Sequence, residues 1–395
     1  MKHTLEGERH ACGDQGASVL SGTSTRVAVR GWNRASLAKG TFFRQAARWW
    51  MPWVLVLAGG AGVVGQSMNV PASKPQDLTE LSLEQLLESE ITPINVLGSH
   101  THLKGGIMVG YRYMYMNMEH NLDGTHEVSV DEVLQDYPVA HTRMTMQMQM
   151  VELMYAPSDT LNLMAMVPFR NLSMDHLNRA GEEYTANTSG IGDLNLMALI
   201  NVYGDPRVKG QRLVVNAGLT VPTGSIDEMD ERAGGHHRLE YAMQLGSGTV
   251  NLEIGLSYLG ESEDWAWGAH ALGLLPMGYN DNDYRLGSEY FIDTWVQYKV
   301  RDWFGPSARL NWRGWNNIHG ADPELDPARN PAFDAQKQAG ERLDFLLGLN
   351  FYIPNGVLKG NRFSVEGGVP VYQNIDGPNL GLDWLITAGW SYSFH

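Results

Sequence analysis

Leu382-Asp-Trp-Leu-Ile-Thr-Ala-Gly-Trp-Ser-Tyr-Ser-Phe394 is the stretch from which the fold can be read. Leu382, Trp384, Ile386, Ala388, Trp390, Tyr392 and Phe394 recur at every second position, and Asp383, Thr387, Ser391 and Ser393 fall between them. Successive side chains of an extended strand point to opposite faces, so this period makes one apolar and one polar face. A helix would gather its apolar residues at every third or fourth position instead.

The same alternation runs from Ile107 to Tyr115, Leu161 to Phe169, Leu194 to Val202, Leu213 to Val221, Leu343 to Ile353 and Phe363 to Val371. Weaker versions occupy 142–156, 246–260, 264–276, 286–300 and 303–316, which makes twelve strands in all. An even number of strands, each roughly 9–13 residues long, is what a bacterial barrel needs to cross a membrane. Short links at 156–160, 204–210 and 301–302 alternate with long polar stretches at 119–141, 171–189 and 317–340. That asymmetry of short periplasmic turns and long outer loops belongs to outer-membrane barrels. A soluble β-sandwich has no need of lipid-facing rows ending in Trp and Tyr. The expectation is an all-β, transmembrane antiparallel β-barrel over residues 105–395, placed in the outer membrane.

Composition agrees with this. Hydrophobic residues make up 43% of the 395, yet no run of 18 apolar residues occurs, so helical spans are excluded. Residues 1–65 hold eight of the 29 bases and three of the 44 acids, and end in Trp49-Trp-Met-Pro-Trp-Val-Leu-Val-Leu-Ala58 followed by small residues. A basic region, an apolar core and a small-residue exit predict an export signal. Residues 66–104 are expected to be a periplasmic linker with one short helix over Asp77–Glu88, on which Leu78, Leu81, Leu83, Leu86 and Leu87 share a face. Past residue 65 the net charge is near −20, with no basic stripe, so nucleic acid is not an expected partner. The single cysteine, Cys12, falls in the segment expected to be removed.

Gly190-Ile-Gly-Asp-Leu-Asn-Leu-Met197, Asn216-Ala-Gly-Leu-Thr-Val-Pro-Thr-Gly-Ser225, Met243-Gln-Leu-Gly-Ser-Gly-Thr249 and Tyr284-Arg-Leu-Gly287 carry a family likeness. In these motifs the chain resembles the outer-membrane channels associated with the meta-pathway of phenol degradation. The resemblance covers the region from about Gly105 to the end. It implies a channel-type barrel, and a channel for small aromatic or apolar compounds is the substrate class it suggests. Outer-membrane lipid, the barrel insertion machinery and a small solute or metal ion are then the expected partners.

Methionine is unevenly placed, with twelve of the nineteen lying between 108 and 174. Met108, Met114, Met116 and Met118 share one face with Arg112, and Met144, Met146, Met148, Met150 and Met154 share another with Glu152. A charge facing mid-bilayer lipid costs roughly 2–4 kcal/mol, so both faces are expected to look into the lumen. Antiparallel pairing with index sum 262 would oppose Met118 to Met144, Met116 to Met146, Met114 to Met148 and Met108 to Met154, and set Arg112 diagonally beside Glu152. Thioether sulfur favours soft low-valent ions, Cu(I) first, and imidazole adds affinity. The candidate metal residues are therefore Met114, Met116, Met118, Met144, Met146, Met148, Met150, His120 and His141, with Arg112 and Glu152 as a lumen charge pair. The competing reading is that methionine fills an irregular lumen as a flexible apolar side chain.

No nucleophile–base spacing stands out, so no catalytic residue is expected. The functional expectation is a channel for a small solute, with soft metal ions such as copper or silver as one substrate class. An outer-membrane hydrolase and a passive metal-binding surface protein are the alternatives from other classes.

Overall fold

The computed structural model describes residues 100–232 and 235–394. The expected export signal and the helix over Asp77–Glu88 lie outside these residues.

Twelve wall strands follow one another in chain order: β1 (Ile107–Met118), β2 (Val139–Ser158), β3 (Leu161–Asn178), β4, β5 (Gln211–Val221), β6 (Val250–Glu261), β7 (Trp265–Met277), β8 (Glu289–Tyr298), β9 (Phe304–Trp315), β10 (Gly340–Tyr352), β11 (Asn361–Leu380) and β12 (Trp384–Phe394). β4 comes in two segments, Glu183–Ile191 and Leu194–Tyr203, both paired with β3. Each strand pairs antiparallel with the next, and β1 pairs with β12 from Ile107↔Phe394 to Asn117↔Trp384. That last pairing closes the sheet and leaves it no free edge, the condition a sheet must meet inside lipid.

Alternation sets which face meets lipid. Val151, Leu153, Leu163, Ile254, Leu256, Ile292, Leu347, Val365 and Val371 are exposed, while their neighbours in sequence Glu152, Asn162, Glu253, Asp293, Leu346, Ser364 and Glu366 are buried. Aromatic residues gather at the end where β12 finishes. Trp265 lies 4.7 Å from Tyr298, Phe304 lies 5.2 Å from Phe351, and Tyr392 lies 4.6 Å from Phe394, all ring to ring. An amphipathic ring band of this kind marks the membrane–water boundary.

Two of the long polar stretches, 119–141 and 317–340, are largely outer loops as expected, and the first carries a short helix, α1 (Val130–Asp136). Ser129 caps α1, and Glu132 returns the contact in a capping box, a signal present in the sequence as Ser-x-x-Glu. The third stretch, 171–189, is different: β3 runs to Asn178, β4 starts at Glu183, and only 179–182 turn. Leu172, Met174, His176, Ala186 and Thr188 still face inward and are buried. The outward residues here are Ser173, Asp175, Thr185, Asn187 and Ser189, polar because this hairpin rises beyond the lipid. Apolar alternation therefore stops although the strand does not.

The longest outer connection, 222–249, was only partly visible in the sequence. Residues 246–249, expected to begin a strand, belong to a segment that folds back into the barrel, where Leu239, Glu240, Met243 and Leu245 are all buried.

Leu347 sits mid-wall on β10 and is 59% exposed. Its replacement by Arg should cost about 2–4 kcal/mol in lipid vesicles, measured as a shift in the denaturant midpoint. Stability within half a kcal/mol of the parent would be incompatible with that face meeting lipid.

Candidate functional site

The lumen is built in tiers. β1 and β2 pair with index sum 262 throughout, from Ile107↔Tyr155 to Met118↔Met144, so Met116 opposes Met146 and Met114 opposes Met148. Met116, Met144 and Met150 are buried. Met114, Met118 and Met146 pack with Met116, Leu346, Leu382 and Leu385, and Leu346 reaches them from β10. Such a contact is possible only through the lumen, so the methionine face points inward. On the opposite face Tyr113 Oη donates to Gln147 Oε1 at 3.2 Å and Tyr111 Oη to Gln149 Oε1 at 3.4 Å. Those bonds explain how two glutamines are accommodated on an otherwise apolar outer face.

This upper tier extends beyond the nine candidate residues. Met174 opposes Met144 across β2 and β3, and both pack with Leu239, Met243 and Leu245 of the infolded segment. Lower down, the methionine ladder meets charge: Met150 opposes Arg112, and Met148 opposes Arg170.

A belt of buried ion pairs forms the middle tier. Arg112 Nη2 lies 3.5 Å from Glu152 Oε2, the diagonal pair expected from the register. Arg309 binds Asp293 at 2.8 Å and Glu366 at 2.6 Å, and Arg342, nearer the outer end, binds Asp344 at 2.9 Å. These three guanidinium groups each have a carboxylate partner, as burial of charge demands. Ser257 and His270 are also register partners, with Oγ 2.8 Å from Nδ1. Both are buried, and Asn216 donates to the same hydroxyl at 2.8 Å.

The lower tier is apolar again and extends the expected Met108–Met154 pair into a longer row. Met108, Met154, Met164 and Met197 stand on four adjacent strands, each directly opposite the next. All four are at most 4% exposed and pack with Leu199, Val214, Leu259 and Trp295. His100 Nε2 lies 3.1 Å from Met108 Sδ. The preceding segment is held in place by Asn162, which bonds His102 N at 2.7 Å and His102 O at 3.2 Å.

The two candidate histidines go elsewhere. His120 is on the rim, its side chain 54% exposed and bound to Asp383. That hydrogen bond raises its pKa above the ordinary imidazole value, and a firmly held proton competes with any metal. His141 is buried at the outer end of β2 beside His176 of β3, ring centroids 5.0 Å apart, and both face Glu240 of the infolded segment.

The infolded segment is anchored by Asp193, at the break between the two parts of β4. Its Oδ1 accepts from Gly224 N at 2.9 Å, and its Oδ2 from Ser247 N at 2.8 Å and Ser247 Oγ at 2.7 Å. A Cβ on Gly246 would lie 2.4 Å from Gly224 O and 2.6 Å from Asp193 Oδ1, so only glycine permits the approach.

Comparison with known proteins follows the same lines. A family model described as putative MetA-pathway of phenol degradation matches residues 156–313, which bears out the resemblance read from the motifs. No curated protein matches the chain. An outer-membrane channel from Pseudomonas putida F1 is similar in fold, with a TM-score of 0.55 at 16% identity over 77% of this chain and 100% of that one. More distant are the β domain of the Bordetella autotransporter BrkA (TM-score 0.38, 13% identity, 74% and 100% covered) and the KdgM porin (0.35, 10%, 73% and 99%). The chain folds as a closed twelve-stranded antiparallel β-barrel of the outer-membrane type.

Removing the anchor should release the infolded segment. A hydrogen bond to a charged acceptor contributes roughly 1.5–3 kcal/mol, and each 1.4 kcal/mol of local stability is tenfold in the open population. Asp193→Ala should therefore speed tryptic cleavage after Arg238 in the folded barrel by about tenfold or more. An unchanged cleavage rate would mean the segment is held by something else.

Proposed function

We propose that this barrel is an outer-membrane channel for a small solute, and that its methionine tiers handle soft metal ions, Cu(I) in particular. The observation that carries the reading is the row Met108–Met154–Met164–Met197, together with the upper pairs Met116–Met146 and Met114–Met148. Directly opposed side chains have Cβ atoms about 5 Å apart, so neighbouring thioethers can converge on one ion. Gap filling accounts for scattered methionine, whereas here sulfur recurs at one level on four consecutive strands. Burial adds to this, because a dry apolar surround suits a singly charged soft cation better than a strongly hydrated one.

A second reading rests on the apolar character of the same tiers. Leu199, Val214, Leu259 and Trp295 line the lower one and Leu346, Leu382 and Leu385 the upper, surfaces that a small aromatic or apolar compound would wet. The phenol-degradation family, whose model matches residues 156–313, points the same way. In that case methionine supplies adaptable apolar contact and sulfur is incidental.

Binding of Cu(I) to the detergent-folded barrel at about pH 7 and pH 5 separates the two readings. Thioethers carry no proton in this range, whereas imidazole protonates near its reference pKa of roughly 6.5. Cu(I) held by methionine should stay bound at pH 5. It should be lost when Met108, Met154, Met164 and Met197 are changed to Leu together with Met114, Met116, Met146 and Met148, since Leu nearly conserves the volume and removes only sulfur. Binding indifferent to those changes would leave the apolar-solute reading standing.

A further inference from the structure

His141, His176 and Glu240 form a constellation that the thioether reading does not use. Their ligand atoms all lie within 4.8 Å of one another, and all three residues are buried. His176 Nε2 is 2.8 Å and His141 Nε2 3.4 Å from Glu240 Oε1. A tetrahedral ion bound at 2.0–2.1 Å sets neighbouring ligand atoms about 3.3 Å apart, so these separations need little adjustment to take one. Asn330 approaches from the side, its Nδ2 2.9 Å from His141 Nε2 and 3.2 Å from Glu240 Oε1.

Two further observations point to a ligand. Glu240 Oε2 is fully buried and has no hydrogen-bond partner of its own, although a buried carboxylate normally has every oxygen engaged. Beside it lies a small cavity of about 40 Å³, lined by Tyr184, His237, Arg238, Glu240, Glu324 and Asn330. It gives an ion a polar approach and room for a water as fourth ligand. Two arginines, Arg238 and Arg329, line the cavity, and Arg238 is held by Asp227, Asp322 and Glu324.

We propose that His141, His176 and Glu240 bind a borderline divalent cation of the zinc class, and that the ion latches the infolded segment to the barrel wall. Two imidazoles, one carboxylate and one open position form a donor set suited to such an ion, whereas Cu(I) favours the thioethers below. The ligands come from β2, from β3 and from the 222–249 connection, so the ion would cross-link the segment to two strands at a point remote from Asp193 in sequence. Asn330, in the 316–339 loop, would exchange its hydrogen bonds for contact with the metal-bound water. This site shares no ligand with the methionine tiers, so it can fail or hold independently of the copper reading.

The test uses the full chain folded in detergent, titrated with Zn²⁺ and with Co²⁺ as an optical probe. The expected result is one ion per barrel, with the intense visible absorption of four-coordinate Co²⁺, and slower tryptic cleavage after Arg238 when Zn²⁺ is present. Chelator should reverse the protection. Loss of an outer-shell partner alone costs about 10–100-fold in metal affinity, so loss of both imidazoles in His141→Ala/His176→Ala should exceed about 100-fold. Glu240→Gln, which keeps the side-chain shape and is less disruptive to folding, should weaken binding in the same direction. The eight-methionine Leu variant should bind Zn²⁺ as the parent does. An absence of stoichiometric binding by the parent overturns the proposal, as does affinity unchanged in both the His and the Glu variants.

Discussion

Asp193 receives three hydrogen bonds, from Gly224 N, Ser247 N and Ser247 Oγ, at the one place where the wall is interrupted. A carboxylate buried to this degree persists only if its oxygens are engaged, and here the donors come from both ends of one long connection. That constraint draws residues 239–249 inward. With it in place, Leu239, Met243 and Leu245 form one wall of the upper apolar tier. The glycines of the same motifs serve this contact. Gly224 and Gly246 allow two backbones to touch, and Gly192 lies close under Leu245 O. The motifs that carry the family resemblance are therefore, in this chain, the hardware of an infolded loop.

A tiered lumen follows from the same geometry. Barrel walls place every second side chain inward, so what occupies the interior at each height is decided by one residue per strand. Arg112 and Arg309 meet carboxylates at mid-height, and Arg342 and Arg313 meet theirs nearer the outer end. Breaking any one of the mid-height pairs would leave a charge in a dry setting, which is why they belong to stability as much as to selectivity.

Much of this was legible in the residues. Period-two alternation from Ile107 to Phe394 determined strand count, closure and the outer location, because lipid on one side and a polar lumen on the other leave no alternative pattern. The inward direction of the methionines and their register on β1 and β2 also followed, since Arg112 and Glu152 share their faces and tolerate only the lumen. What alternation could not reveal was the extension of β3 and β4 across 171–189, where the outward face is polar beyond the membrane and the period loses its signal.

Tertiary structure alone decided what meets across the interior. His141 and Glu240 are 99 residues apart, and His176 joins them only because β2 and β3 pair with His141 opposite His176. Met197 completes the lower row because β4 pairs with β3 at that level, and His100 reaches Met108 because the segment before β1 turns into the barrel mouth. Sequence separation carries no trace of such approaches. Alternation is a local property, imposed by the geometry of each strand, whereas the contents of the lumen depend on how far a long connection folds inward and where it is held.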